Sequence, residues 1–153
     1  MKIGGIVEQL NLALYTIASL KDKPGSAAEV LQSFARESIN LAYITENVAR
    51  DGSVALSFCV DCDDVDKVEK LIKSETQIQN EYIVKVENVV MLGIYGPHFR
   101  EKPAIAVKFF ELLGKEDINI LGISSSISTI SCLVDIQKVD KAKEALLTYF
   151  KLP

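Results

Sequence analysis

The chain has one histidine and three cysteines in 153 residues, which removes several chemistries at once. His98 lies in a Gly96-Pro97-His98-Phe99 loop and reads as a solvated loop residue rather than a general base. The run Ser124-Ser125-Ser126 therefore reads as a polar strand end, with no hydrolase constellation around it. An odd set of thiols, Cys59, Cys62 and Cys132, without a secretion signal excludes a disulfide framework. Cys59-Val60-Asp61-Cys62 has the spacing of a redox or metal pair, but Cys59 falls late in a strand and Cys62 opens a turn. A zinc site would have to recruit Cys132 and His98, so the thiols read as structural, with no metal and no cofactor expected. No apolar run approaches the ~20 residues of a membrane helix, and Met1 to Gly5 lacks the apolar core of a signal peptide. The expectation is a soluble, cytoplasmic protein with no membrane partner. Lys and Arg are not clustered and the net charge is −4, which argues against nucleic acid. Asp61, Asp63, Asp64 and Asp66 lack the spaced oxygens and the glycine of a calcium loop.

What the chain does have is an internal repeat. Asp22-Lys23-Pro24-Gly25-Ser26-Ala27-Ala28 returns as Glu101-Lys102-Pro103-Ala104-Ile105-Ala106-Val107, and Glu37-Ser38-Ile39-Asn40-Leu41 returns as Glu116-Asp117-Ile118-Asn119-Ile120. Val65-Asp66-Lys67 recurs as Val139-Asp140-Lys141 at a shorter offset, because Ala49 to Ser53 has no full counterpart.

Each half reads as strand, helix, strand, strand, helix. In the first, Leu12 to Leu20 is β-rich, and a helix from Ser26 to Glu37 puts Ala27, Val30, Leu31, Phe34 and Ala35 on one face. Ile39 to Glu46 is the next strand, Asp51-Gly52 supplies a hairpin, and Val54, Leu56, Phe58 and Val60 alternate along the third. A helix from Asp63 to Ser74 buries Val65, Val68 and Ile72. The second half has strands near Asn88 to Tyr95, Ile118 to Ile123 and Ile127 to Val134, with helices near Lys102 to Lys115 and Gln137 to Phe150, the last followed at once by Leu152-Pro153. The first half has Gln77 to Lys85 to close its sheet; the second has nothing after its last helix. Since an open sheet edge is a liability, Ile3 to Val7 is expected to cross over and close the second sheet. The fold class is thus α+β: two ferredoxin-like βαββαβ modules with antiparallel sheets and helices on one face, the first inserted into the second. The expected limits are residues 10–85 for the first, and 1–9 with 86–153 for the second.

Asp22-Lys23-Pro24-Gly25 followed by small residues, Ile39-Asn40-Leu41, and Thr45-Glu46-Asn47 before the hairpin resemble the paired ACT domains of aspartokinase regulatory regions. The resemblance runs from about Val7 to Phe150. It implies an allosteric, amino-acid-binding region without the kinase domain, for which the chain has neither room nor a phosphate-cradling glycine-rich loop. A free-standing double module, a small regulatory subunit and a C-terminal piece of a longer aspartokinase all fit. The implied partners are a free amino-acid effector such as threonine or lysine, a second copy in a homodimer, and an aspartokinase catalytic domain.

A free amino acid presents a carboxylate beside an ammonium. Unpaired amides at Gly25, Ser26 and Ala27, at the positive end of a helix, suit the carboxylate, and Asp22 suits the ammonium. Lys23 and Pro24 complete this loop. By the resemblance, Glu46 and Asn47 lie on the same wall, and Asn119 with Ile120 of a second copy lie on the other. The family often has Gln where Glu46 stands; a carboxylate there favours a hydroxyl or amine on the effector and repels an acidic side chain. A second site would use His98, Glu101, Ser124 and Ser125, faced by Asn40 and Leu41, with its helix start hindered by Ala104 and Ile105. Two other readings are an assembly module that has lost its ligand, and a thiol protein using Cys59 and Cys62.

Overall fold

The structure is a computed structural model. It describes every residue except 21–24, 75–82 and 98, and omits the side chains of Ser19, Leu20 and Ser26. The elements are β1 (Gly5–Leu20), α1 (Ser26–Arg36), β2 (Tyr43–Val48), β3 (Val54–Asp61), α2 (Val65–Ser74), β4 (Ile83–Tyr95), α3 (Ile105–Lys115), β5 (Gly122–Ser125), β6 (Thr129–Asp135) and α4 (Val139–Leu147). Hydrogen-bonded neighbours follow the strand order β2-β3-β1-β4-β6-β5, with β3 antiparallel to β1 and β2, and β6 antiparallel to β4 and β5.

The chain divides into two compact units, Asn11–Glu87 and the two flanking segments Met1–Leu10 with Asn88–Pro153. Both boundaries fall inside a strand. Where separate short strands are expected from the sequence, β1 and β4 each run on through the boundary, and at it stand Asn11 (φ 61°) and Asn88 (φ 57°). Asparagine tolerates this left-handed backbone better than other residues with a Cβ. The Asn11 amide also donates to Asp61 Oδ1 at 3.1 Å.

Each unit has its own core. In Asn11–Glu87, alternation along β1 and β3 turns Ala13, Tyr15, Ile17, Leu56, Phe58 and Val60 toward Val30 and Phe34 of α1 and Val68 and Ile72 of α2. In the flanking unit, Val90, Leu92, Ile94, Cys132 and Val134 meet Phe109 and Leu113 of α3 and Ala142 and Leu146 of α4. Ile3 belongs to this second core, and the N-terminal segment is tied into it by the backbone. The Ile3 amide donates to the Lys151 carbonyl at 2.9 Å, and the Gly4 amide to the Tyr95 carbonyl at 2.7 Å. Tyr95 lies over the glycine pair: a Cβ on Gly4 or Gly5 would come within 2.7 Å of its side chain.

The expected strand at Ile39 does not start there. Ser38 (φ 56°) donates its amide to the Ala35 carbonyl and Ile39 to the Phe34 carbonyl, the two bonds of a Schellman helix end. Ile39 is buried as the apolar contact of that cap, and β2 begins only at Tyr43. The same cap recurs at Asp117 (φ 56°) and Ile118 after α3, which delays β5 to Gly122. The starts of α2 and α4 are repeated too: one-turn segments Cys62–Asp64 and Ile136–Lys138 lead in, with Asp61 Oδ1 accepting from the Asp63 amide and Asp135 Oδ1 from the Gln137 amide, each at 2.8 Å. Among the described residues no helix is long and apolar enough to cross a membrane.

Candidate functional site

The sequence directs attention to the two helix starts that follow β1 and β4. At the first, Gly25 is the N-cap of α1 with φ 89° and ψ −6°, a conformation that glycine adopts without steric cost. Its carbonyl accepts from the Glu29 amide at 2.9 Å. The amides of Ser26, Ala27 and Ala28 open the helix without intrahelical acceptors, and the N-cap glycine has no side chain to cap them. Among the described residues, nothing lies within 4 Å of a Cβ built on Gly25. Ala27 is half-buried beside it. Asp22, Lys23 and Pro24, the loop expected to hold the ammonium, lie outside the described residues, as does the side chain of Ser26.

Strand register places Glu46 at the same end. Glu46 stands opposite Leu56, and Leu56 opposite Ile17, so its exposed carboxylate is on the helix side of the sheet, in the row that ends where β1 turns toward α1. Asn47 pairs with Ala55 and faces the opposite side. Of the expected first-wall residues, Gly25, Ala27 and Glu46 thus share one end of one unit, while Asn47 points away from it. Asn119, exposed, and Ile120, packed on the second core, lie between α3 and β5 in the other unit.

The second helix start copies the first. Ala104 takes φ 72° and ψ 5°, and its carbonyl accepts from the Lys108 amide at 2.9 Å. Ile105, expected to add bulk at this helix start, is buried in the second core and also lines the cavity beside it. Glu101, Lys102, Ala104 and Lys108 line an open cavity of about 490 Å³ together with Tyr149. The Lys108 ammonium lies 5.1 Å from the centre of the Tyr149 ring and 3.6 Å from Glu111. Ser124 and Ser125 are exposed on β5; Ser125 pairs with Ile130 on the helix side, while Ser124 pairs with Ser131 on the other. His98 lies outside the described residues, and Asn40 and Leu41 belong to the other unit.

Burial pushes both the Cys59 and Cys132 thiols up to about 12, so neither is a ready thiolate nucleophile or ligand.

Sequence reading passed over one polar cluster. The phenol of Tyr15, completely buried, donates to Glu69 Oε1 at 2.9 Å, and Lys85 Nζ reaches the same oxygen at 3.1 Å. Lys85 also pairs with Glu87 at 3.1 Å, and its ammonium lies 6.0 Å from the Tyr15 ring centre. Burial, then the bond to Glu69, holds the phenol well above the usual tyrosine range. Burial acts to raise Glu69, but the hydrogen bonds from Lys85 and Tyr15 outweigh it and hold the carboxyl below its ordinary value. The bonds to Glu69 and Glu87 raise Lys85. A Tyr at an alternating core position, in a segment that otherwise reads as apolar, was the signal available.

Two family models, each described as an ACT domain, match residues 15–77 and 92–150. The aspartokinase of Helicobacter pylori is 29% identical over 150 residues, and that of Pseudomonas aeruginosa 30% over 151; each alignment takes in 98% of this chain and 37% of the relative. The chain therefore spans little more than a third of the length of these relatives. Among solved structures, one of aspartokinase alpha and beta subunits superposes with a TM-score of 0.84 at 26% identity, covering 95% of this chain and 97% of that one. The ligand-free regulatory subunit of aspartate kinase from Thermus thermophilus shares the fold, with a TM-score of 0.83 at 21% identity and the same coverage.

Proposed function

Because the chain belongs to the ACT-domain family, with one such domain matched in each half, we propose that it is the allosteric, amino-acid-sensing part of an aspartokinase. Its modules would run through residues 10–85 and through 1–9 with 86–153. Catalysis would fall to a kinase domain, either a separate partner or the remainder of a longer chain. The observation that carries the reading is the start of α1, where the N-cap Gly25 has no side chain to cap the three amides that follow, with the Glu46 carboxylate at the same end of the sheet.

The effector is a small amino acid. Its carboxylate rests on the amides of Ser26, Ala27 and Ala28, Asp22 holds its ammonium, and Glu46 selects a side chain ending in a hydroxyl or amine, as in threonine or lysine. Lys23 and Pro24 shape the loop, and Asn119 and Ile120 of a second copy close the site. The second helix start, with Glu101 in the place of Asp22 and Ala104 in that of Gly25, is a second site, degenerate or altered in specificity. The setting is cytoplasmic.

Thermal-shift titration with each of the twenty amino acids tests this. A ligand at a hundredfold its dissociation constant adds about 2.7 kcal/mol, which for a chain of this size raises the midpoint by about 5–10 °C. Threonine or lysine should give that shift, and Asp22→Ala should abolish it. A flat response to all twenty would sink the reading.

A second reading, an assembly module without a ligand, is favoured by the outermost strands. Ile44 and Val48 on β2 and Ile123 on β5 are about half exposed or more, as is Ile127 just beyond, on edges that a second copy would cover. Dimerisation that persists in Asp22→Ala, with no amino acid changing it, would favour that reading over the first.

A further inference from the structure

Glu8 and Lys85 occupy equivalent places. Asn11 and Asn88, each with left-handed backbone, mark the same point on β1 and β4, and each follows its charged residue by three positions. Both charges stand on the segment that closes a unit: Glu8 within Met1–Leu10 of one, Lys85 on the end of Asn11–Glu87 of the other. Their partners are equivalent as well. Val65-Asp66-Lys67 of α2 recurs as Val139-Asp140-Lys141 of α4, which aligns Glu69 with Lys143. Lys143 Nζ lies 2.8 Å from Glu8 Oε2, and Lys85 Nζ lies 3.1 Å from Glu69 Oε1. One helix-to-strand bridge is built twice, with its polarity reversed.

The fold asks only that the bridge exist, and the same polarity in both units would serve that end. Reversal adds discrimination. If Ile83–Glu87 were brought to α4, Lys85 would face Lys143; if Gly5–Leu10 were brought to α2, Glu8 would face Glu69. Each exchange replaces an attraction with a repulsion, the usual way in which a specific interface rejects a near-identical partner. Near-identical closing segments are what a duplicated fold offers itself, and a second copy offers them again.

We propose that the two ion pairs form a polarity code that assigns each closing segment to its own helix, Glu8 to Lys143 and Lys85 to Glu69, and that rejects exchange between them within the chain or from a second copy. The code uses only the sign of the charges, so reversing all four should leave it intact.

The test is hydrogen exchange followed by mass spectrometry on the full chain, read at residues 5–10 and 83–88. Tyr15→Phe and Glu87→Gln form the background, because the phenol donates to Glu69 and Glu87 pairs with Lys85. On it are placed a strand reversal (Glu8→Lys with Lys85→Glu), a helix reversal (Glu69→Lys with Lys143→Glu), and all four together. Composition and net charge are identical throughout. Each double reversal should exchange about tenfold faster at both segments, while the fourfold variant returns most of the way to the background rate, short of it because Lys73 and Asp140 keep their charges beside residues 69 and 143. If the double reversals match the background, or the fourfold variant stays as fast as they are, the code does not exist. Should a double reversal fail to fold, recovery of folding in the fourfold variant supports the proposal and its absence overturns it.

Discussion

The two units share backbone detail down to the caps, yet one is a continuous stretch and the other is assembled from both ends of the chain. Asn11–Glu87 contains every strand it needs. The flanking unit depends on Met1–Leu10, which supplies Ile3 to its core and amides to the Tyr95 and Lys151 carbonyls. Duplication fixed the local geometry, and connectivity decided which unit can stand alone. Cutting the chain between the units should have the largest effect. Residues 11–87 expressed alone should fold cooperatively, whereas a chain without residues 1–10 should lose the flanking unit, its β4 edge opened and its core exposed. Amide NMR spectra of the two pieces would check this; dispersed resonances for residues 88–153 without residues 1–10 would contradict it.

Alkaline pH should separate the units next. The Cys59 and Cys132 thiols rise from an ordinary 9.0 to about 12 through burial, one in each unit, and Tyr15 is raised further in the continuous unit alone. A raised pKa means that the folded state keeps its proton when the unfolded chain has lost it. The contribution is full below about pH 9 and falls as pH climbs toward 12, by about 2–3 kcal/mol per thiol near pH 11. Denaturant midpoints measured from pH 8 to 11 should drop in both units, and more steeply in Asn11–Glu87. Cys132→Ala should flatten the profile of the flanking unit only.

Tyr15→Phe probes a polar feature that distinguishes the cores. At the corresponding place, with Asn11 aligned to Asn88, the flanking unit has Leu92, fully buried and without a hydroxyl to satisfy. Losing a hydrogen bond to a carboxylate costs about 1.5–3 kcal/mol. Here Lys85 still satisfies Glu69, which favours the lower end of that range. A chemical-denaturation curve would measure it, and no change in midpoint would mean that the phenol contributes packing alone.

These differences were unevenly legible. Alternation along Val54, Leu56, Phe58 and Val60, and helical spacing at Val30 and Phe34, exposed both sheets and their helices, since those residues answer to burial on one face. Ile39-Asn40-Leu41 misled because alternation is also what a Schellman end followed by a short connection produces: Ile39 is buried by a cap, not by a ladder. The continuity of β4 was hidden by Lys85, Glu87 and Asn88, polar residues that read as a break but lie where the strand passes between units. At the candidate site, Gly25 and the open helix start followed from chain-local chemistry. The side of the sheet on which Glu46 and Asn47 fall depends on pairing register, which no short motif carries. The Tyr15 cluster draws on three separated elements and could not be assembled from any one of them.

The smallest expected effect bears most directly on the helix starts. Gly25 at φ 89° and Ala104 at φ 72° perform one task with different residues, so the alanine carries a left-handed cost of about 1–2 kcal/mol that the glycine avoids. Ala104→Gly recovers part of that strain but loosens the unfolded chain, leaving a gain of about 0.5–1 kcal/mol; Gly25→Ala should lose a similar amount without unfolding, because Ala104 already shows that the cap accepts a Cβ. No described residue lies within 4 Å of a Cβ on Gly25, and the loss expected there comes from its φ of 89°. Thermal midpoints of the two single variants and the double exchange should therefore nearly cancel in sum. If Gly25→Ala leaves the midpoint within a degree of its expected value but abolishes an amino-acid response, the glycine is retained for the ligand's approach and not for the turn.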